Sequence, residues 1–75
     1  MDKVSTSKQE KLLLLFKEAI EAERTAQNKY TQMMQNCEDP ELAQILESFR
    51  ESEENHEQQL MRMYAALKSA GKYAD

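Results

Sequence analysis

The sequence predicts an all-α fold, an antiparallel hairpin of two long helices. Helix-forming residues dominate the 75-residue chain, which contains only one Gly and one Pro. One short polar break, at residues 36–40, separates two long segments in which apolar residues recur at three- and four-residue spacing. A short connection returns the second helix alongside the first. Since a chain of this length makes one domain at most, residues 1–75 are expected to form a single domain.

The first helix has a clear start signal. Ser7 and Glu10 have the spacing of a capping box, immediately before an apolar run. Nothing interrupts the helical pattern until the polar break. We therefore expect the first helix at about residues 8–37.

The second helix has signals at both ends. Asp39 suits the N-cap position, and Pro40 suits the first helical position, where its missing N–H is not needed. Gly71 suits the residue after the C-terminus, because it adopts a left-handed conformation without strain. The second helix is therefore expected at about residues 40–70.

Each helix carries one stripe of residues at alternating four- and three-residue spacing, the pattern of helical bundles. The stripe of the first helix contains Leu12, Phe16, Ala19, Glu23, Ala26, Tyr30, Met33 and Cys37. The stripe of the second contains Leu42, Leu46, Phe49, Glu53, His56, Leu60, Met63 and Leu67. Every residue of the two stripes is apolar, small or aromatic except Glu23, Glu53 and His56. In the folded hairpin Glu23 should meet His56, and Tyr30 should meet Phe49.

These three polar residues predict a metal site. Burying an unpaired carboxylate costs several kcal/mol, and a divalent cation supplies the missing charge. Carboxylate and imidazole ligands suit iron, manganese or zinc. One hairpin offers only Glu23, Glu53 and His56, but two copies offer four Glu and two His, the ligand set of a di-iron four-helix bundle. The sequence therefore predicts a homodimer that forms a four-helix bundle around the metals.

The order of these residues resembles a known family. Glu23 followed by Tyr30, then residues 39–42, then Glu53-x-x-His56 resembles the rubrerythrin-type ferritin-like superfamily, and most closely the encapsulated ferritins. The resemblance covers residues 12–67 and implies a ferritin-like four-helix bundle. It implies that Glu23 is a terminal ligand, that Glu53 bridges two metals, and that His56 binds through one ring nitrogen. It also places Tyr30 next to the site as a fourth catalytic residue.

The resemblance implies a function as well. Two iron ions per dimer, for which Mn or Zn could substitute, would support ferroxidase-type oxidation of Fe(II), in iron storage or in defence against oxidative stress. An encapsulin shell is then an expected partner besides a second copy of the chain. The sequence contains no Cys-x-x-Cys pair, so the rubredoxin-type iron centre of full-length rubrerythrins is not expected.

Charge and hydropathy exclude other classes of function. The net charge of −4 disfavours nucleic acid as a partner, and the apolar runs are too short to span a bilayer. A single cysteine forms no internal disulfide, which favours the reducing cytoplasm, either free there or inside an encapsulin compartment.

Two alternatives remain open at the level of sequence. The hairpin could be a non-catalytic dimerisation module whose polar stripe residues fix the register. It could also hold a structural Zn or Mn ion without turnover. Of the three hypotheses, only ferroxidase activity would make the chain an enzyme. Tyr30 suits core packing as well as a place beside the metal. Four further acidic residues of the second helix are interpreted as a mostly solvated face or as an entry path for cations: Glu47, Glu51, Glu54 and Glu57.

Overall fold

The computed structural model describes residues 7–69, which form two antiparallel α-helices. Helix α1 spans Lys8–Gln35 and helix α2 spans Pro40–Ser69. The predicted all-α hairpin is confirmed for these residues, whereas its assembly into a four-helix bundle stays a prediction. The molecule measures 58 × 21 × 12 Å, and 12 Å is about one helix diameter, so the hairpin is a single layer. Within the described range, neither helix is long and apolar enough to cross a membrane.

The predicted capping box starts α1. The backbone N–H of Glu10 donates to Ser7 Oγ, and the backbone N–H of Ser7 donates to Glu10 Oε1, both at 3.1 Å. These reciprocal bonds satisfy two of the N–H groups that have no partner in the first turn of a helix. The predicted start near Lys8 is confirmed.

Helix α1 ends two residues earlier than the predicted residue 37. Asn36 has φ −107° and ψ 14°, and its N–H bonds to Met33 O at 3.2 Å. The N–H of Cys37 bonds in the same way to Met34 O at 3.1 Å. Bonds of this i to i+3 type tighten the last turn and end the helix, and the continuing apolar pattern gave no sign of that.

Asp39 caps α2 as predicted. Its Oδ1 accepts the N–H of Glu41 at 3.0 Å, and its carbonyl accepts the N–H of Ala43 at 2.9 Å. Pro40 is the first residue of the helix. The predicted end near residue 70 and the role of Gly71 lie outside the described residues.

The contact between the helices includes a residue of α1 that lies outside the predicted stripe. Among residues 7–69 only Ile20 and Leu46 are buried, and Ile20 is not on that stripe. Several stripe residues are instead exposed: Leu12, Met33, Leu42, Phe49 and Met63. The centre of an apolar stripe points to the axis of a multi-helix bundle, whereas a helix with a single neighbour contacts it at the edge of that stripe. The predicted Tyr30–Phe49 layer is confirmed, with ring centroids 5.7 Å apart.

Candidate metal centre

The hairpin brings Glu23, Glu53 and His56 together near the middle of both helices. Each residue offers one ligand atom, and these atoms all lie within 4.8 Å of one another. Glu53 and His56 are three residues apart and therefore share a face of α2, while Glu23 reaches the same point from α1. The three residues that the sequence predicted as metal ligands are thus neighbours in space, and their binding of a metal stays a prediction.

The imidazole of His56 contacts the two carboxylates only loosely. His56 Nδ1 lies 3.6 Å from Glu53 Oε1 and 3.8 Å from Glu23 Oε1. Both distances exceed the usual 2.7–3.2 Å or so of a nitrogen–oxygen hydrogen bond. The side chain of His56 is 57% exposed, whereas those of Glu23 and Glu53 are 23% and 25% exposed. The carboxylates therefore lie partly between the helices, and the imidazole emerges on one side of the layer.

Glu23 has an unsatisfied oxygen at this point. Its Oε1 is buried and has no hydrogen-bond partner among residues 7–69. The pKa of the Glu23 carboxyl is raised above its ordinary value, chiefly by a hydrogen bond to the Glu53 carboxyl and then by burial and the charge of Glu53, with His56 opposing the shift. A buried polar atom without a partner costs about 1–3 kcal/mol. An unpartnered oxygen, a second carboxylate and an imidazole fit a divalent cation.

The chain matches a known protein family over most of its length. The family model for rubrerythrin matches residues 6–74, which is almost the whole chain. The chain belongs to the rubrerythrin family. Rubrerythrins are ferritin-like proteins that generally bind a di-iron centre, in agreement with the ligand types of the cluster. No curated protein and no solved structure gives a significant match, and the predicted likeness to encapsulated ferritins stays a prediction.

Tyr30 packs in this rubrerythrin hairpin against an aromatic neighbour. Its ring is tilted by 58° to that of Phe49, a favourable geometry for an aromatic pair. Among the described residues its hydroxyl donates no hydrogen bond to Glu23, Glu53 or His56. The packing role considered for Tyr30 is therefore observed, and its predicted catalytic role beside the metal remains a prediction.

Glu57 is a neighbour of the cluster whose bonding the sequence interpretation misses. That interpretation makes it part of a mostly solvated face or of an entry path for cations, yet its side chain is only 14% exposed and accepts hydrogen bonds across the hairpin from Arg24 and Gln27. These bonds, led by that from Arg24, lower the pKa of Glu57. Its position four residues after Glu53 was the available signal, because that spacing places both carboxylates on one face of α2.

A groove beside the cluster connects it with the surface. Its volume is about 230 Å³. It is lined by Glu23, His56, Gln59, Leu60 and Met63. The groove lies on the side where His56 is exposed, so an ion can approach Glu23 and His56 in the rubrerythrin hairpin without passing between the helices.

Proposed function

We propose that the chain is a homodimeric di-iron protein that oxidises Fe(II) at a site shared by two copies. The observation that carries the proposal is the Glu23–Glu53–His56 cluster with its buried, unpartnered carboxylate oxygen, in a chain of the rubrerythrin family. The cluster supplies oxygen and nitrogen ligands of the kinds that iron takes in such proteins.

The number of ligands argues for a second copy. One hairpin provides two carboxylates and one imidazole, which leaves most coordination positions of two iron ions to water. Two copies provide four carboxylates and two imidazoles, the complement of a carboxylate-bridged di-iron site in a helical bundle. The exposure of His56 and the thickness of a single helix leave one side of the cluster uncovered for that partner.

Three exposed apolar side chains of α2 lie on the same side of that helix as His56. Leu42, Phe49 and Met63 are 47%, 47% and 52% exposed, and together with His56 they recur every seven residues. We call the surface that these four residues define the open side. A seven-residue repeat forms one line along a helix and is the usual pattern of a helix–helix interface. A second hairpin on the open side would bury this line and bring its own three ligands to the first cluster.

The family resemblance and the positions of the residues together suggest their roles. Each of the three side chains has the other two as neighbours, and the resemblance implies that Glu53 would be the carboxylate that bridges two metals. Glu23 and His56 approach from opposite helices and would hold the ions at the two ends of that bridge. Bound as a pair, two Fe(II) ions supply two electrons, which with two protons reduce dioxygen to hydrogen peroxide or hydrogen peroxide to two waters. The partner hairpin would exclude bulk water from the cluster.

An anaerobic Fe(II) titration followed by admission of air tests the proposal. We expect about one iron per chain, as in a dinuclear site shared by two copies, and an absorbance increase when Fe(III) forms. Glu53→Ala should lose both signals. Glu54→Ala is the matched control, because Glu54 is the next residue in the chain but bonds to Arg50, at 3.4 Å. Wild-type iron binding and oxidation by the Glu53→Ala variant would refute the proposed site.

The same samples separate the two alternatives. A structural Zn or Mn site predicts stoichiometric binding of those ions with no Fe(II) oxidation above that of buffer. A dimerisation module without metal predicts a dimer by native mass spectrometry in the presence of chelator and no metal bound at any protein concentration. The exposed apolar line on the open side favours dimerisation in either case, so the oxidation assay decides.

A further inference from the structure

The carboxylate of Glu57 is held on both of its oxygens by residues of the other helix. Arg24 Nε donates to Oε2, and Gln27 Nε2 donates to Oε1 at 2.7 Å. Charge-assisted hydrogen bonds of this kind are stronger than neutral ones and have a more restricted geometry. They are the only hydrogen bonds between side-chain oxygen and nitrogen atoms that join α1 to α2 among residues 7–69.

These bonds lie directly beside the metal cluster in the chain. Arg24 follows Glu23, and Glu57 follows His56. Any axial slide of α1 against α2 that separated Arg24 from Glu57 would also separate Glu23 from His56. A shift of α1 by one residue moves its side chains about 1.5 Å along the helix axis and about 100° around it. Either displacement is large for ligand atoms that must meet at one ion.

Glu57 is also close enough to influence the cluster. Its charge raises the pKa of the Glu23 carboxyl, although less than contact with Glu53 does. A free carboxylate at this position, one turn of α2 beyond Glu53, would compete for the metal as an additional ligand. Arg24 and Gln27 engage both oxygens of Glu57 and turn it toward α1.

We infer that Arg24, Gln27 and Glu57 form a positioning clamp for the metal site. The clamp fixes the register of Glu23 against Glu53 and His56, and it keeps the Glu57 carboxylate out of the ligand set. The inference rests on the proposed function, because it assigns roles to residues around the same metal site. In this proposal none of the three clamp residues is a metal ligand.

Titration with Co(II) tests the clamp, because the visible absorption of Co(II) reports the number and kind of its ligands. The test variants are Arg24→Ala, Arg24→Lys and Gln27→Met. Arg50→Ala is the control, since among the described residues Arg50 bonds only to Glu47 and Glu54 of its own helix. Circular dichroism on each variant verifies the helix content.

We expect Arg24→Ala to weaken Co(II) binding by about tenfold or more, as changes to residues that orient metal ligands usually do. Its Co(II) spectrum should change in position and intensity as Glu57 enters the coordination sphere. Arg24→Lys should restore part of the affinity, because an ammonium still pairs with Glu57 but lacks the guanidinium geometry. Gln27→Met should shift both readouts in the same direction by a smaller amount, and Arg50→Ala should match the wild type.

Each remaining outcome overturns a specific statement. Wild-type Co(II) affinity and spectrum in both Arg24→Ala and Gln27→Met would overturn the clamp and leave the metal site intact. Equal losses in Arg24→Ala and Arg50→Ala would overturn it in favour of a general effect of helix stability. Failure of the wild-type protein to bind Co(II) and Fe(II) would overturn the proposed function itself.

Discussion

The inner side of the hairpin and the open side both contain apolar residues next to carboxylates, but only on the inner side are these groups buried and paired. On the inner side, between the helices, Ile20 and Leu46 are buried and the carboxylate of Glu57 has hydrogen bonds to both oxygens. On the open side, Phe49 and the other apolar residues of the seven-residue line remain exposed. At the adjoining metal cluster, Glu23 Oε1 lies buried with no hydrogen-bond partner among residues 7–69.

This difference shows what the single hairpin provides for itself and what it lacks. On the inner side, Ile20 and Leu46 are buried, and Arg24 is the cationic partner of the Glu57 carboxylate. Among residues 7–69 the apolar line of the open side has no apolar partner, and the adjoining cluster brings two carboxylates together with one imidazole. A second copy of the chain would supply an apolar partner for the open side, and a metal ion would supply positive charge to the cluster. Both would bind at the same level of the hairpin.

Disrupting the open side should have the largest effect. Phe49→Glu places a charge in the middle of the exposed line, and burial of an unpaired charge opposes association. We expect the dimer dissociation constant to rise about 100-fold, or ~2.8 kcal/mol at about 1.4 kcal/mol per factor of ten. Sedimentation equilibrium over a range of protein concentrations measures it.

Leu14→Glu is the control for this change. Leu14 is 54% exposed but does not belong to the stripe of α1, so the same substitution should leave the dimer unchanged. If both variants dissociate equally, or neither does, the open side is not the interface.

Truncating the inner core should have the next largest effect. Leu46 is 6% exposed, and Leu46→Ala should lower the free energy of unfolding by about 2–3 kcal/mol, near the lower end for buried leucines because a two-helix layer encloses it incompletely. Leu42→Ala is the comparison on the open side, where 47% of the residue is exposed. Urea unfolding at several protein concentrations measures both. The loss of unfolding free energy should be independent of concentration for Leu46→Ala and should become smaller on dilution for Leu42→Ala.

Replacing the polar cluster should change stability in the opposite direction. The triple variant Glu23→Leu, Glu53→Leu, His56→Leu removes the unpartnered oxygen and the contact between carboxyls, so the metal-free protein should gain about 1–2 kcal/mol. Thermal unfolding with chelator measures the gain, which Fe(II) or Co(II) should not increase. A triple variant that is less stable than the metal-free wild type would mean that the cluster is satisfied without a metal.

Local chemistry explains why so much of the fold could be predicted from the sequence. Ser7 and Glu10 cap each other within one turn, and Asp39 caps the helix that begins at the next residue, so these signals need no tertiary information. The cluster was predictable for a similar reason. Glu53 and His56 interrupt an otherwise apolar periodic pattern, and the short loop fixes which residues of the two helices lie opposite each other.

Contacts between distant residues explain what the sequence did not show. Arg24 and Glu57 are 33 residues apart, and nothing in the local pattern of either residue indicates that they bond. The burial of Ile20 depends on which edge of its apolar stripe meets α2, and periodicity gives the stripe but not the edge. The end of α1 at Gln35 likewise depends on a tight turn that the composition of residues 36–39 permits but does not require.

The smallest predicted effect concerns an acid that has a partner on its own helix. Arg50 donates hydrogen bonds to Glu47, and this chiefly lowers the pKa of Glu47 below its ordinary 4.5. The pair therefore contributes its full stability above the ordinary pKa of about 4.5. This contribution disappears as the pH falls through the lowered pKa of the folded state. Glu47→Gln should be slightly less stable than the wild type at pH 7 and equal to it at pH 2, by urea unfolding at low salt. Because the charge of Glu47 is already compensated within α2, Co(II) should not change this difference, whereas a metal-dependent difference would mean that Glu47 belongs to the cation site.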